Sequence, residues 1–217
     1  MNIKLNNLKY SIKSGFSLSV NLEIPANSWI VITGETGSGK TTLLKLLAGI
    51  IAPDSGEIYF GIVNPEIGFI FQNPDDQLIQ LSIEKELVFN LENQAMPINK
   101  IRKRLDMFLE KYGFNKIRKK SPNNLSDGEK QRLALAATLI SEPDILIFDE
   151  PTSFLDYKQR ELLYQQIDYL KQSGKTIIWT SHDIDEYLLA DYILELKNGQ
   201  VSYLGSKQEF IRSRLIY

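Results

Sequence analysis

The sequence contains no cysteine and only one histidine, His182, among its 217 residues. Disulfide bonds, thiolate metal sites and any metal site built from several histidines are therefore excluded. The sequence also lacks an apolar run of the length that spans a bilayer, and its first residues lack the apolar core of a signal peptide. We expect a cytoplasmic protein that acts at a membrane only through a partner.

An excess of charge of one sign is also missing. The chain has 25 Lys and Arg against 27 Asp and Glu, and its formal net charge is -2. This balance argues against nucleic acid or an anionic membrane surface as a direct partner. The short basic clusters at 102–104 and 116–120 are interpreted as solvated surface. A chain of this length can bury a core of its own as a single domain.

Short apolar runs alternate with helical patterns along the chain, which predicts parallel strands joined by crossover helices. Strands are predicted at 29–33, 57–60, 67–71, 144–150 and 175–181, with a terminal hairpin of 191–196 and 200–204. Helices are predicted at 41–50, 82–93, 98–113, 126–141 and 158–173. Since the helices from about 82 to 141 follow one another without a strand, they predict a helical sub-domain inserted into an α/β core.

The stretch GETGSGKT (34–41) fits the phosphate-binding pattern G-x-x-x-x-G-K-[ST] between a predicted strand and a predicted helix. Glycines let the backbone curl so that its N–H groups point at phosphates, and the helix N-terminus adds its dipole. In this pattern Lys40 can reach the phosphates and the Thr41 hydroxyl can bind Mg²⁺. The predicted nucleotide-binding residues are Gly34, Glu35, Thr36, Gly37, Ser38, Gly39, Lys40, Thr41 and Thr42.

A second motif, ILIFDE (145–150), ends a predicted core strand in two carboxylates. Asp149 at the strand end can hold Mg²⁺ through water, and Glu150 can act as the general base for an attacking water. An apolar run that ends in Asp-Glu is a weak signal alone. It becomes a strong one beside the phosphate-binding loop.

Two further motifs separate one family from other proteins with this loop. LSDGEKQR (125–132) opens a predicted helix, and TSH (180–182) ends a predicted strand. With them, the sequence resembles an ATP-binding-cassette (ABC) ATPase over its whole length. The family's signature L-S-G-G-Q is matched at Leu125, Ser126 and Gly128, whereas Asp127 and Glu129 depart from it. Ser126 and Glu129 also have the spacing of a capping box, which predicts a helix start at this point.

The resemblance implies a fold class and the length of chain that the domain covers. The fold is α/β: a phosphate-loop nucleotide-binding domain with a parallel-sheet core, an N-terminal antiparallel β sub-domain and the inserted helical sub-domain. A single ABC ATPase domain would cover residues 1–217.

The resemblance also implies roles for individual residues. His182 aligns with the histidine that touches the γ-phosphate, and Gln72 aligns with the glutamine that positions Mg²⁺ and the attacking water. Tyr10 lies where an aromatic ring stacks on adenine, with Phe16 as the alternative. The implied catalytic residues are Glu150, His182 and Gln72, and the implied metal ligands are Thr41, Gln72 and Asp149.

Other implied roles concern a second subunit. Ser126 and Gly128 would bind the ATP held by the opposite subunit, and the loop at 153–156, which includes Phe154, would cross the dimer interface. A carboxylate of Asp127 that faced this ATP would oppose its binding, since like charges repel strongly in a closed site.

The stretch FQNPDDQ (71–77), followed by SIEKELVFNLEN (82–93), resembles the ATPases of energy-coupling-factor (ECF) transporters, which import vitamins and transition-metal ions. The resemblance implies ATP and Mg²⁺ as cofactors. It implies a second ATPase subunit, a transmembrane coupling subunit and a substrate-binding membrane component as partners, at the cytoplasmic face of the cell membrane. No nucleic acid is expected. The alternative is an ordinary turn in which Asn, Pro and Asp only favour a tight reversal.

Three other functions stay open at this point. The chain could serve a conventional ABC importer or exporter, or a soluble ABC protein that acts on DNA or ribosomes. Such soluble relatives generally carry two cassettes, coiled-coil arms or basic extensions, which this sequence lacks. A small-molecule kinase would use the same loop but would have no need of LSDGE or of His182. No residue of an energy subunit encodes its cargo.

Overall fold

A computed structural model describes residues 2–12, 15–153 and 155–214 of the chain. Its strands are β1 (Ile3–Ser11), β2 (Ser17–Ile24), β3 (Trp29–Thr33), β4 (Ser55–Tyr59), β5 (Ile67–Ile70), β6 (Ile145–Phe148), β7 (Thr176–Thr180), β8 (Tyr192–Lys197) and β9 (Gln200–Ser206). Its α-helices are α1 (Lys40–Leu47), α2 (Ile83–Asn93), α3 (Ile98–Lys111), α4 (Asp127–Leu139), α5 (Tyr157–Gln172), α6 (Ile184–Leu189) and α7 (Lys207–Arg214).

A six-stranded sheet in the order β5-β6-β7-β3-β8-β9 forms the core. Neighbouring strands from β5 to β8 run parallel, and β9 pairs antiparallel with β8 in the predicted hairpin. Every residue of β3, β6 and β7 is buried, as expected for parallel strands covered on both faces. The predicted α/β fold with a parallel-sheet core is confirmed.

The two faces of this sheet bury separate apolar clusters, because side chains alternate along each strand. On β3, Trp29 and Val31 join the cluster that includes the residues of α2 to α5. Ile30 and Ile32 join the cluster that includes α1 and the N-terminal strands. The core sheet is thereby held between two layers.

A second, three-stranded antiparallel sheet has the order β2-β1-β4. Its central strand alternates, with Ile3, Leu5 and Leu8 buried and the neighbouring Lys4 exposed. This sheet is the predicted antiparallel β sub-domain, and it packs against α1 through the same apolar cluster.

Helices α2, α3 and α4 lie between β5 and β6 in chain order, as the sequence predicted. Helix α3 is amphipathic and buries Ile101, Leu105, Phe108 and Leu109. None of the helices in the described part of the chain is long and apolar enough to cross a membrane.

Strand β5 ends one residue earlier than predicted, at Ile70. The Ile70 carbonyl accepts the last bond from Asp149 N at 3.0 Å, and the next amide, Phe71 N, donates to the Gln77 side chain instead. Asn73 then accepts a bond from Asp75 N and starts a short 3-10 helix at Pro74–Asp76. Gln72 therefore lies just beyond the strand, at the start of this turn.

Glu86 on α2 anchors the backbone that follows the turn. Its Oε2 accepts hydrogen bonds from the N–H groups of Ile79 (2.9 Å) and Gln80 (2.7 Å). Burial raises the pKa of the Glu86 carboxyl above its ordinary value of 4.5, although the two bonds oppose the rise. The folded state consequently binds this proton more tightly than the unfolded state does.

We expect Glu86→Gln to change the pH dependence of stability. A raised folded pKa makes stability fall as pH rises from 4.5 through the raised value. Gln keeps an oxygen for both N–H groups and cannot ionise, so the variant should gain stability relative to the wild type over that range. Urea denaturation at a series of pH values measures the difference. Glu92→Gln, at an exposed position on the same helix, should follow the wild type, and parallel profiles for Glu86→Gln and the wild type would refute the assignment.

Candidate ATP-binding and hydrolysis site

The phosphate-binding loop connects β3 to α1, as predicted. Gly39 precedes the first helical residue with φ 105°, and Gly34 and Gly37 also have positive φ, at 137° and 80°. A Cβ atom on Gly34 would overlap the carbonyl oxygen of Leu196, and one on Gly39 would lie 2.7 Å from Cζ of Phe16. The loop path therefore requires glycine at both of these positions.

We expect Gly34→Ala to be far more damaging than Gly37→Ala. Both substitutions strain a backbone with positive φ, at a cost of about 1–3 kcal/mol. Only at Gly34 would the new methyl group also meet a backbone atom, since a Cβ atom on Gly37 meets nothing within 4 Å. Thermal unfolding of the two variants gives the comparison. Equal losses of stability would show that the packing of Gly34 against β8 does not matter.

Lys40 spans the inside of the loop. Its Nζ donates to the carbonyl oxygens of Gly34 (2.8 Å) and Glu35 (3.2 Å). Burial lowers the pKa of this amine, and the carboxylates of Glu150 and Asp149 act in the opposite direction. The loop thus carries a positive charge held against its own carbonyl groups, where phosphate oxygens would offer better acceptors.

Two further observations fit a phosphate ligand. Ser38 is buried, and its hydroxyl has no hydrogen-bond partner among the described residues. The first turn of α1 contains no acidic side chain, so nothing there offsets the positive end of the helix dipole. The remaining predicted loop residues, Thr36 and Thr42, lie in the exposed part of the loop and in the first turn of α1.

Thr41 and Asp149 come together as predicted metal ligands. The Thr41 hydroxyl donates to Asp149 Oδ1 at 3.2 Å, and the Thr180 hydroxyl donates to the same oxygen at 2.9 Å. Mg²⁺ binds oxygen ligands at about 2.0–2.1 Å in an octahedron, which places neighbouring ligands about 3 Å apart. The donor set and its spacing fit Mg²⁺. The third predicted ligand, Gln72, donates a hydrogen bond to Glu150 in this structure, and its role as a metal ligand stays a prediction.

The three predicted catalytic residues meet at the Glu150 carboxylate. Gln72 Nε2 donates to Glu150 Oε2 at 3.1 Å, and His182 Nε2 lies 3.6 Å from Glu150 Oε1. Glu150 has φ 45°, which is uncommon for a residue with a side chain. Thr180 stabilises this backbone, because its Oγ1 accepts a bond from Glu150 N at 2.8 Å. Glu150 is therefore held at the carboxyl edge of the sheet by groups from two segments, the turn at Gln72 and the end of β7 with Thr180 and His182.

The signature motif forms the start of α4, and the predicted capping box is confirmed. Ser126 Oγ accepts a bond from Glu129 N at 3.4 Å, while Ser126 N donates to the Glu129 carboxylate at 2.9 Å. The bonds that the Ser126 N–H and the Ser126 hydroxyl donate to the carboxylate lower the pKa of Glu129. A Cβ atom on Gly128 would overlap the side-chain amide of Gln159, which caps α5. Ser126 and Gly128 make no hydrogen bond to the phosphate-binding loop within the described ranges, so their role toward ATP stays a prediction.

The aromatic candidates are placed differently from each other. Tyr10 lies on β1, half-buried and opposite Leu18 of β2. Phe16 lies directly against Gly39 of the loop. The assignment of Tyr10 to adenine stays a prediction, as does that of Phe16. Phe154, from the loop predicted to cross a dimer interface, lies outside the described residues.

The turn after Gln72 contacts the signature helix, a link that the sequence analysis did not predict. Asp75 forms an ion pair of 2.7 Å with Lys130 on α4. Gln77 Nε2 donates to Thr138 Oγ1 at 2.9 Å on the same helix. Asn73 behaves as the turn preference predicts, but Asp75 and Gln77 do more than favour a reversal.

Sequence reasoning also missed two residues behind the site. Thr180 hydrogen-bonds both Asp149 and Glu150. Its position at the end of an apolar strand, two residues before His182, could have identified it as a residue of the site. Glu186 on α6 is 0% exposed and accepts bonds from Thr152 (2.7 Å), Tyr164 (2.9 Å) and Trp179 (2.7 Å). No motif pointed to Glu186, because two of its donors, Thr152 and Tyr164, lie 34 and 22 residues away in the sequence.

The fold and the site together define a phosphate-loop nucleotide-binding protein with the apparatus of an ATPase. The ABC transporter family profile matches residues 18–153, which includes the loop, the signature motif and both carboxylates. The chain belongs to the ABC transporter family, as the sequence predicted.

Individual relatives that match this chain belong to the predicted subgroup of the family. The chain is 36% identical over 228 residues to the energy-coupling factor transporter ATP-binding protein EcfA1 of Mycoplasma mobile, covering 99% of this chain and 83% of the relative. It is 36% identical over 219 residues to the EcfA1 of Thermotoga maritima, covering 97% and 84%. The resemblance to ECF transporter ATPases is confirmed.

Solved structures agree with the fold. CbiO1 of Clostridium perfringens, part of the ABC transporter complex CbiONQ, matches with a TM-score of 0.83 and 33% identity, covering 98% of this chain and 91% of that one. A dimeric ATP-binding cassette in a post-hydrolysis state, bound to ADP and Pi, matches with a TM-score of 0.81 and 29% identity, covering 94% and 98%.

Proposed function

We propose that this chain is the ATP-hydrolysing energy subunit of an ECF-type membrane transporter that imports a vitamin or a transition-metal ion. The main support for ATPase activity is that Gln72 and His182 both lie against the Glu150 carboxylate beside the phosphate-binding loop. The transporter assignment is supported by the identity of about a third with EcfA1 proteins along nearly the whole chain.

In the proposed reaction, Lys40 and the loop amides bind the phosphates of ATP, and Glu150 accepts a proton from the attacking water. Gln72 orients the Glu150 carboxylate through its amide, and His182 lies on the other oxygen of that carboxylate, where it can face the γ-phosphate. Mg²⁺ held by Thr41 and Asp149 would neutralise phosphate charge as the bond breaks. Cleavage leaves ADP and phosphate, with the transferred proton on Glu150.

We further propose that two ATPase subunits, of identical or related sequence, enclose the nucleotides between them. In this arrangement the N-terminus of α4, with Ser126 and Gly128, faces the ATP of the other subunit. Asp127 and Glu129 both lie in the first turn of α4. Glu129 is engaged by Ser126, which leaves Asp127 as the carboxylate that must point away from the phosphates.

The segment 79–82 is the proposed contact with the transmembrane coupling subunit, which would hold the protein at the cytoplasmic face of the membrane beside a substrate-binding membrane component. It presents two apolar side chains to solvent, Ile79 (66% exposed) and Leu81 (88% exposed). Glu86 ties the backbone of this segment to α2, and Gln77 ties the preceding turn to α4. A push on this surface would therefore move the signature helix together with the turn that begins at Gln72.

We expect the double substitution Ile79→Ser with Leu81→Ser to abolish co-purification with the membrane subunits while ATP binding persists. Both side chains are exposed, so the fold should tolerate the change. Val63→Ser removes an equally exposed apolar side chain elsewhere (91% exposed) and serves as the control. Full co-purification of the double variant would contradict the proposed surface.

If the wild type instead sediments with ribosomes or DNA, the protein is a soluble ABC ATPase. Co-purification with permease-type subunits alone would indicate a conventional ABC transporter.

A further inference from the structure

Tyr187, on α6, contacts the ends of two neighbouring core strands beside the nucleotide site. Its hydroxyl lies 2.6 Å from the hydroxyl of Thr33, the last residue of β3, which precedes Gly34 of the phosphate-binding loop. The same Tyr187 hydroxyl donates a longer bond of 3.5 Å to the carbonyl oxygen of Ser181, which follows β7 and immediately precedes His182. One side chain therefore joins the residues that lead into the loop and into His182.

The backbone pairing between β3 and β7 stops before these residues. In the described part of the chain, the last backbone bond between the two strands runs from Ser181 N to the Ile32 carbonyl at 3.1 Å. Thr33 and His182 lie beyond it, and both line one cleft with Gly34 and Tyr187. Since the backbone ladder no longer fixes their separation, a side-chain link at this point can set it.

The two contacts of the Tyr187 hydroxyl can exist together. A tyrosine hydroxyl both accepts and donates, so Thr33 can donate to Tyr187 while Tyr187 donates to Ser181. Burial raises the pKa of Tyr187 above its ordinary value of 10.0, although the Thr33 bond opposes the rise, so the hydroxyl keeps its proton at neutral pH. Thr33 and Ser181 are buried, and loss of the hydroxyl would leave polar groups there without a partner.

Helix α7 fixes the position of the Tyr187 ring. The ring packs edge-on against that of Phe210, with 5.9 Å between the centroids and 86° between the planes. Lys207 Nζ, also on α7, donates to the Leu188 carbonyl of α6 at 2.6 Å. These contacts hold the hydroxyl at a defined place between the ends of β3 and β7.

We propose that Tyr187 is a positioning residue for ATP hydrolysis, whose hydroxyl fixes the phosphate-binding loop relative to His182. It acts through Thr33 and Ser181 and does not itself touch ATP. Without the hydroxyl, His182 and a γ-phosphate held by the loop would be misaligned, and a misplacement of about 1 Å can cost about 10²-fold in rate. The effect on hydrolysis rests on the proposed ATPase function, whereas the link between the two strand ends does not.

Conservative variants isolate the hydroxyl. Tyr187→Phe keeps the ring against Phe210 and removes only the hydroxyl, while Thr33→Val removes the partner hydroxyl and Thr33→Ser retains it. Tyr203→Phe is the matched control. Tyr203 also packs against Phe210, at 5.2 Å, but its hydroxyl donates to the Ser206 carbonyl at the end of β9, at 3.0 Å.

We expect Tyr187→Phe and Thr33→Val each to lower kcat by about tenfold, because both break the same link. The KM for ATP should stay within about twofold, since the loop itself is intact. The double variant should be no slower than the slower single one, and Thr33→Ser should recover most of the rate that Thr33→Val loses. Tyr203→Phe should keep the wild-type kcat. If Tyr187 only supports the fold, Tyr187→Phe will lower the thermal stability and leave kcat unchanged, which would overturn the proposal.

The single histidine of the sequence gives a second measurement, which needs no hydrolysis. In NMR spectra of the nucleotide-free protein, all histidine side-chain signals come from His182. We expect these signals to shift in Tyr187→Phe and to keep their wild-type positions in Tyr203→Phe. Unmoved His182 signals in Tyr187→Phe would overturn the proposal. Absence of turnover in the wild type would count against the proposed ATPase function alone, since the His182 signals would still decide whether Tyr187 positions this residue.

Discussion

Glu150→Gln is expected to reduce the rate of ATP hydrolysis by about 10²–10⁴-fold, the usual contribution of a general base. The Glu150 carboxylate is the proposed proton acceptor, and the Gln72 amide holds it in place by donating to its Oε2 at 3.1 Å. Gln at this position keeps the volume and the hydrogen-bonding capacity but lacks basicity. The measurement is phosphate release at saturating ATP.

ATP binding by the same variant should be unchanged, because Lys40 and the loop amides do not depend on the Glu150 charge for their geometry. A closed, ATP-bound dimer should therefore accumulate, which light scattering can detect. Glu161→Gln, on the exposed face of α5, provides the matched control and should hydrolyse ATP at the wild-type rate. Normal turnover by Glu150→Gln would remove Glu150 from the role of base.

The second large effect is expected from Glu186→Leu, which should destabilise the fold by about 3–5 kcal/mol, because three buried donors lose their acceptor. Leu has a similar size, so the loss would come from the buried donors left without an acceptor: the Thr152 and Tyr164 hydroxyls and the Trp179 indole N–H. Each such donor costs about 1–3 kcal/mol, and the three losses are not independent. Urea denaturation at neutral pH measures the change in the free energy of unfolding.

Two further variants separate this network from a simple packing effect. Tyr164→Phe removes one donor and leaves the Glu186 carboxylate with two, so a loss of about 1 kcal/mol is expected. Burial and the Glu186 carboxylate both raise the pKa of Tyr164, so its hydroxyl remains a donor throughout the neutral range. Glu186→Gln retains one oxygen acceptor, and its stability should lie between those of the wild type and Glu186→Leu. A Glu186→Leu variant as stable as the wild type would show that the hydrogen bonds to Glu186 contribute little to the free energy of unfolding.

The features that the sequence predicted are those that depend on local pattern. Apolar runs such as 29–33 predict buried strands because a parallel strand is covered on both faces, and glycine spacing predicts the loop because only glycine follows that path. The capping box of Ser126 and Glu129 acts over three residues, and it was predicted correctly. The family resemblance supplied the roles of Gln72 and His182, which no periodicity would have indicated.

The features that sequence reasoning missed depend on tertiary contacts. Helix α6 has only six residues, too few to show a helical period, and two of the donors to its Glu186, Thr152 and Tyr164, lie 34 and 22 residues away in the sequence. The ion pair of Asp75 with Lys130 joins residues 55 positions apart (130 minus 75), in segments that single-sequence patterns treat separately. Strand β5 ended early because the Gln77 side chain competes for the Phe71 amide.

The turn that begins at Gln72 thus contacts both the proposed base and the signature helix, α4. Gln72 holds the base Glu150, while Asp75 and Gln77 hold the signature helix. Ile79 and Leu81, immediately after the turn, are the exposed apolar side chains that we assign to the membrane partner. Hydrolysis, contact with a second subunit and contact with the membrane would then meet within ten residues, about 30 Å of extended chain at most.

The most direct test of this account is ATP-driven uptake into liposomes that contain this chain together with the membrane proteins that co-purify with it. The account predicts uptake of the native cargo that requires ATP and is abolished when the wild-type chain is replaced by Glu150→Gln. Uptake that proceeds equally well with Glu150→Gln would contradict it.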